Sequence, residues 1–253
     1  MKRALALLAL ALMLTANFAM AADSAEITAL KQKAEAGHVE SQVELAVNYR
    51  FGISANLSES ARWWRAAAEQ GHAIAQFNLA EYLIKGRGVA KDVYEAIEWY
   101  TKAAESGDRL SQYDLGRLFL LGEEIPENRP LAFKWFSAAA AQGFAEAQNR
   151  LGQFYRDGYA VPKDVVKAIE WYTKAAAKNY YMAQACLGEI YLTGEGGASK
   201  NLVEAHVWFN LATAAGFDMS EKRSTAEKQM TKEQIAEATK LANERFEKYA
   251  EKN

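Results

Sequence analysis

Apolar residues along this chain come in short clusters at helical spacing, separated by polar breaks, and the same cluster returns at a nearly constant interval. Gln42, Gln76, Gln112, Gln148 and Gln184 mark the beat. Each is followed three residues later by a leucine (Leu45, Leu79, Leu115, Leu151, Leu187) and ten residues later by a glycine (Gly52, Gly86, Gly122, Gly158, Gly194). Small residues one before and four after each glutamine (Ser41 and Ala46, Ala75 and Ala80, Ser111 and Gly116, Ala147 and Gly152, Ala183 and Gly188) share the leucine face on a period of 3.6. A second cluster follows in every unit. Trp63, Trp99, Trp135, Trp171 and Trp208 each precede another aromatic (Trp64, Tyr100, Phe136, Tyr172, Phe209) and stand just before a pair of small residues. The pattern predicts two helices per unit, A and B, and an α-solenoid in which each unit buries its apolar face on its neighbours.

Residues with strong terminus preferences punctuate these helices. The glycine ten residues after each glutamine predicts a left-handed end to helix A. Asn56, Asp92, Asn128, Asp164 and Asn201 predict side-chain caps at the start of helix B. Glu59, Glu95 and Glu204, three residues later, predict the reciprocal bonds of a capping box, and Pro130 fits a first helical turn. Gly71, Gly107, Gly143 and Gly216, with Asn179 in the fourth unit, close helix B. A glycine inside a helix costs about 1 kcal/mol against alanine. Gly116, Gly152 and Gly188 therefore predict a bulky neighbour in the vacated space, with the tryptophan of helix B as the expected occupant. Gly86-x-Gly88 and Gly194-x-Gly196 lack the strand-loop-helix setting of a phosphate-binding loop and read as turns.

Taken together, these residues resemble the Sel-one-like repeat (SLR) family, a slightly longer relative of the tetratricopeptide repeat. Residues 145–179 carry the fullest pattern: Ala145, Ala147-Gln148, Leu151-Gly152, Tyr155, Gly158, Val161, Asp164, Lys167-Ala168, Trp171-Tyr172 and Lys174-Ala175-Ala176. Five repeats are expected at 38–71, 72–107, 108–143, 144–179 and 180–216. The first is short between its helices, the third replaces Gly-x-Gly-Val with Gly122-Glu-Glu-Ile-Pro126, and the fifth carries one extra residue. An N-terminal capping helix in 22–37 and C-terminal capping helices in 218–253 are expected to close the ends, and Thr231-Lys-Glu-Gln234 spells a capping box. The resemblance implies an all-α, right-handed superhelical solenoid of antiparallel helix pairs whose concave face binds another protein in exported or envelope settings in bacteria. A cysteine-rich branch of the family, associated with β-lactam binding or hydrolysis, is not matched, because Cys186 is the only cysteine.

Composition narrows the setting. Lys2 and Arg3, the apolar run from Ala4 to Leu14, and Ala19-Met20-Ala21 predict a cleaved secretory signal over residues 1–21, hence a periplasmic or secreted protein. Removing it takes two cations and no acid, leaving 28 basic against 32 acidic residues. That balance lacks the footprint of a nucleic-acid binder, and no later run is long enough to insert in a membrane. A single cysteine excludes internal disulfides. Cys186 reads as a small residue half buried between helices, with pairing between molecules as the alternative.

Catalytic spacing is missing: there is no H-E-x-x-H, G-x-S-x-G or partnered S-x-x-K. His38 and His72 recur at one repeat position and His206 lies in a helix B, too few ligands for a tight metal site, and no cofactor is expected. Paired acids such as Glu123-Glu124 read as solvated turn charge, and the Trp-aromatic pairs as core. Function is then expected where the repeats differ. Phe77, Asn78 and Glu81, Tyr113, Asp114 and Arg117, and Asn149, Arg150 and Gln153 fall one, two and five residues after their glutamines, facing away from the leucine stripe. They are expected to form a ladder on the concave wall, with Phe77 and Tyr113 as aromatic anchors. The sequence thus reads as an exported, non-catalytic scaffold or adaptor for a peptide or partner domain. A cell-envelope hydrolase acting on cell wall or β-lactams, and a secreted host-interaction factor, are the alternatives.

Overall fold

Every described element is a helix. The computed structural model describes residues 26–52 and 55–250; the expected signal, 1–21, and part of the expected N-terminal cap, 22–25, lie outside the described residues. Helix α1 covers residues 26–35. Five pairs follow: α2 (Val39–Phe51) with α3 (Leu57–Glu69), α4 (Ala73–Lys85) with α5 (Val93–Glu105), α6 (Arg109–Leu121) with α7 (Arg129–Ala141), α8 (Ala145–Asp157) with α9 (Val165–Ala176), and α10 (Tyr181–Thr193) with α11 (Leu202–Ala214). Two further helices, α12 (Ser220–Glu227) and α13 (Lys232–Ala250), pack on α11. The chain divides into two compact units, Met1–Asp108 and Arg109–Asn253.

Side-chain caps form at all five expected positions. Asn56 accepts from the Ser58 and Glu59 amides, and Asp92, Asn128, Asp164 and Asn201 each accept from the amide three residues on. The other half of the expected capping box does not form at Glu59, Glu95 or Glu204. Each cap residue's own amide donates instead to a carbonyl of the preceding helix A: Asn56 to Tyr49 (2.7 Å), Asp92 to Leu83 (3.1 Å), Asn128 to Phe119 (2.7 Å), Asp164 to Tyr155 (2.7 Å) and Asn201 to Tyr191 (2.8 Å). The acceptor lies seven residues after the glutamine in every repeat, so one bond sets the hairpin whatever the loop length. Relieved of capping, Glu95 pairs with Arg65, and Glu204 accepts from both terminal guanidinium nitrogens of Arg245 at 2.9 and 3.0 Å. Thr231 and Gln234 do exchange both bonds of a capping box.

Helix B ends as expected, with left-handed Gly71, Gly107, Gly143, Asn179 and Gly216. Helix A ends on left-handed Gly86, Gly122, Gly158 and Gly194, but Gly52 is extended (φ −74°, ψ 174°).

The repeated glutamine reaches back to the preceding helix B. Nε2 of Gln42, Gln76, Gln148 and Gln184 donates to the carbonyls of Ala34, Ala68, Ala140 and Ala176 at 3.0–3.3 Å. Those carbonyls have no helical partner of their own. Glutamine Oε1 has two fates. In the first and third repeats it accepts from Gln70 and Gln142, at 2.8 and 2.9 Å, on the last residue before the closing glycine. That position holds Ser106, Lys178 and Ala215 in the other repeats, and there Gln76, Gln148 and Gln184 leave Oε1 buried without a protein partner.

In the core, the expectation that tryptophan fills the glycine notch is overturned. A Cβ on Gly116 would lie 2.7 Å from the Phe136 ring, on Gly152 2.5 Å from Tyr172, and on Gly188 2.4 Å from Phe209. The second aromatic of each pair therefore enters the notch, and all five second aromatics are at most 2% exposed. The tryptophans lie one position toward the rim. Trp63, Trp99, Trp135 and Trp208 are buried, Trp171 is partly so, and each ring carries a cation at 3.9–4.7 Å from its centroid: Arg62, Lys102, Lys134, Lys174 and Arg245. A ring covered on one face by methylene and charge need not be central to be well packed.

Two outcomes are expected. Gly188→Ala should lower stability by roughly 1–3 kcal/mol through overpacking against Phe209, despite alanine's better helix propensity, and Phe209→Leu in the same chain should restore part of it; an unchanged urea midpoint would contradict the notch. Ala215→Gln should raise stability by about 0.5–1.5 kcal/mol by supplying the donor that Gln184 lacks, since Ala215 (φ −81°, ψ 7°) shares the backbone of Gln142 (φ −81°, ψ 4°). A lower midpoint in urea would contradict this account of the glutamine pairs.

Candidate functional site

Helix A presents its variable positions opposite the leucine stripe, and in the first unit these are already engaged in internal contacts. Phe77 is half buried, its ring 5.8 Å from Tyr100. Asn78 donates to the Ile74 carbonyl at 2.8 Å and accepts from Arg50 at 3.3 Å. Glu81 accepts from the Tyr100 hydroxyl at 2.6 Å and pairs with Lys85. Burial pushes the Glu81 carboxyl up, but the bonds from Lys85 and Tyr100 outweigh it and hold the group below the ordinary carboxylate range.

In the second unit the arrangement is mixed. Tyr113 meets Phe136 at 5.5 Å and Phe144 at 5.1 Å. Asp114 and Arg117 form an ion pair at 3.0 Å, and Arg150 donates to Gln153 at 3.0 Å. Asn149, expected on the outer face, is 1% exposed, and its Oδ1 has no protein partner. Phenylalanine and tyrosine at that position in repeats two and three lean on the second aromatic of helix B, whereas the shorter asparagine is covered completely. Each unit thus keeps its own expected residues on shared helix A faces, but as packed and paired groups rather than as free side chains.

Sequence reasoning missed a row of rings along the starts of the helix A elements in the second unit. Phe144 and Tyr180 occupy the residue preceding α8 and α10, and Phe217 follows the glycine that closes α11. Tyr181 stacks on Tyr180 at 5.8 Å and meets Phe217 at 5.2 Å. The signal was available at the position after each closing glycine: His38, His72 and Asp108 give way to Phe144, Tyr180 and Phe217.

The titratable groups with catalytic potential hold structural bonds. His72 Nδ1 accepts from the Ala75 amide at 3.2 Å, capping α4. His206, 2% exposed, lies in a closed ring of bonds. Arg223 can only donate, so Asn210 presents Oδ1 to it (2.8 Å) and its amide nitrogen to His206 Nδ1 (3.0 Å), which leaves the ring proton on Nε2, facing Glu227 at 2.9 Å. These groups line an open cleft of about 460 Å³ between α11, α12 and α13. Cys186 is half buried beside α9, and burial pushes its thiol up. Among the described residues no group of three or more His, Cys, Asp or Glu is placed to hold a metal ion, and no helix is long and apolar enough to cross a membrane.

Comparison with known proteins matches this geometry. The family model for the Sel1 repeat matches residues 39–72, 73–108, 109–144, 145–180 and 182–217. The chain belongs to the Sel1 repeat family, whose repeat serves as a protein-interaction scaffold. It is similar to a Sel1 repeat protein from Oxalobacter formigenes, with 26% identity over 83% of this chain and 89% of that one, and a TM-score of 0.64. A protective antigen of uropathogenic Escherichia coli with an SLR fold shares 28% identity over 89% of this chain and 64% of that one, with a TM-score of 0.46. A Sel1 repeat protein from Klebsiella pneumoniae shares 26% identity over 79% of this chain and 99% of that one, also with a TM-score of 0.46. Curated proteins yield no match.

Three carboxyls that tie elements together, Glu81, Glu95 and Glu195, are held below their ordinary range. For Glu95 the main cause is the hydrogen bond from Arg65, and for Glu195 the one from Arg156. A depressed folded-state value means that the stability they contribute is complete above about pH 4.3 and is lost as pH falls through the lowered values. Urea midpoints taken between neutrality and pH 3 should fall on the acid side, and Glu95→Gln should flatten that limb. Superimposable profiles for parent and variant would contradict the assignment.

Proposed function

We propose that this Sel1 repeat chain is an exported, non-catalytic scaffold that holds a peptide or partner domain against the outer faces of its helix A elements. Apolar exposure carries the reading. On a frame whose internal bonds repeat from unit to unit, helix A elements leave Phe51 71% exposed, Ile74 59%, Leu121 54%, and Val47, Leu110 and Met182 41–42%. Within each unit the helix A elements expose more such groups than the helix B elements, which expose Leu57 (41%), Tyr94 (68%) and Val166 (66%) in their first turns, and this excess favours a protein partner over open solvent. A frame locked by caps and glutamine bonds presents them preformed, which lowers the ordering cost of association. Export rests on the charged, apolar and small-residue order of residues 1–21, and it places the scaffold in the periplasm or outside the cell.

Photo-crosslinking in cells tests the binding face. A benzophenone side chain at Ile74 or Met182 should yield a discrete protein adduct, whereas the same group at the exposed helix B positions Glu98 and Glu170 should not. Absence of adducts at Ile74 and Met182, or equal adducts at all four positions, would contradict the face. Fractionation with intact mass measurement tests export. The expected form begins at Ala22 outside the cytoplasm, and a cytoplasmic form beginning at Met1 would contradict it.

A further inference from the structure

The aromatic row of the second unit has a consistent electrostatic setting. Tyr113, on α6, packs edge-on to Phe144 at 5.1 Å. The Arg109 guanidinium, one turn earlier on α6, lies 5.7 Å from the centre of the same Phe144 ring. Lys178 reaches back to the Gly143 carbonyl at 2.5 Å, which brings its ammonium to the residue preceding Phe144 in the chain. Tyr180 lies within electrostatic reach of Tyr113, Glu146 and Arg150, and burial pushes its hydroxyl up to about 12. The row continues through Tyr181 to Phe217, which is 40% exposed, beside Met182 at 42%.

Three cations therefore border a row in which Tyr113, Phe144, Tyr180 and Tyr181 are half-buried and Phe217 is exposed. Arg109 and Lys178 are exposed. The hydrogen-bond partners of Arg150 and Lys178 are a glutamine oxygen and a backbone carbonyl, and Arg109 lies on a ring. Glu146 is the acid set among them, so the cations outnumber it. The start of α10 reinforces the sign. Phe144 and Tyr180 precede α8 and α10 without a side-chain cap bond. Tyr180 stands where a histidine caps α4, and with no acid in its first turn α10 turns its positive end to the row, whereas α8 carries Glu146 in its first turn. The surface offers apolar contact and cationic charge together.

On the reading that this chain is an interaction scaffold, we infer that the row Tyr113, Phe144, Tyr180, Tyr181 and Phe217, bordered by Arg109, Arg150 and Lys178, docks an acidic peptide segment carrying aromatic or aliphatic side chains. Its carboxylates pair with the three cations, and its apolar side chains cover the rings. Charge complementarity selects this partner over a neutral or basic one, since a basic segment would bring like charge to cations already lacking carboxylate partners.

Fluorescence anisotropy of the purified full chain tests the inference, using three fluorescein-labelled twelve-residue probes. One alternates Glu with Phe or Leu, one carries Lys in place of each Glu, and one carries Ser in place of each apolar residue. The acidic apolar probe should bind at least tenfold more tightly than either of the others and weaken as salt is raised. Arg109→Glu with Arg150→Glu should weaken it at least tenfold while the circular dichroism melt stays that of the parent, and Lys178→Glu should act in the same direction. Equal binding of the lysine probe, or indifference to both charge reversals, would overturn the inference. The scaffold reading stands or falls separately on adducts at Ile74, which lies in the other unit. Loss of the peptide result with retention of those adducts would reject the acidic partner alone.

Discussion

The molecule depends on a hydrogen bond between a glutamine side chain and a carbonyl at the end of the preceding helix B, one that lacks the amide four residues on and otherwise takes the turn bond of the closing residue. A helix terminus strands several carbonyls, and in a stack of short helices these ends are buried between repeats, where an unpaired polar group costs about 1–3 kcal/mol. Gln42, Gln76, Gln148 and Gln184 answer that need with Nε2. The same carbonyls of Ala34, Ala68, Ala140 and Ala176 also accept from the left-handed residue that closes each helix. One acceptor therefore serves both the turn and the next helix, which ties the direction of helix A to the end of helix B.

Packing follows from this anchoring. Once helix A is set, the notch at Gly116, Gly152 and Gly188 admits the ring that follows tryptophan, and the tryptophan is left at the rim with a cation over its face. The cap amide's bond to helix A then closes each hairpin. This frees glutamates of helix B to pair across elements, as Glu95 does with Arg65 and Glu204 with Arg245. Glu195 performs the same service in a turn, bridging Arg156 and Lys163.

A frame fixed this thoroughly leaves variation to its outer positions, and the variation has structure. In the first unit, Phe77, Asn78 and Glu81 are drawn into contacts with Tyr100, Arg50 and Lys85, so they stiffen the face more than they offer free groups. In the second, aromatic residues gather where histidine or aspartate starts earlier repeats, and cations border them. Recognition by such a surface depends on groups whose positions are set by neighbouring repeats, so a partner meets a preformed edge. This is the physical advantage of building an interaction protein from stacked hairpins.

Repeat count, helix pairing, cap residues and helix-ending glycines were all legible in the amino-acid sequence, because each is a local preference stated five times over. The capping glutamates were legible only in part. The competing acceptor for each cap amide is a carbonyl seven residues past the glutamine, distant in the chain and visible only once the hairpin folds. The occupant of the glycine notch was likewise undecided locally. Both aromatics of a pair are neighbours in the chain, and only the packing of helix B on helix A puts the second in the notch. Asn149 could be placed on the variable side of its helix, but its burial depends on what faces it from helix B. The row from Tyr113 to Phe217 is scattered over a hundred positions and becomes one surface only by stacking. Sequence by itself determined which helices form and where they stop, since those are properties of the chain over a few residues. Tertiary structure decided which side chains fill the gaps and which remain outside, since those depend on the distance and angle between helices that no short segment contains.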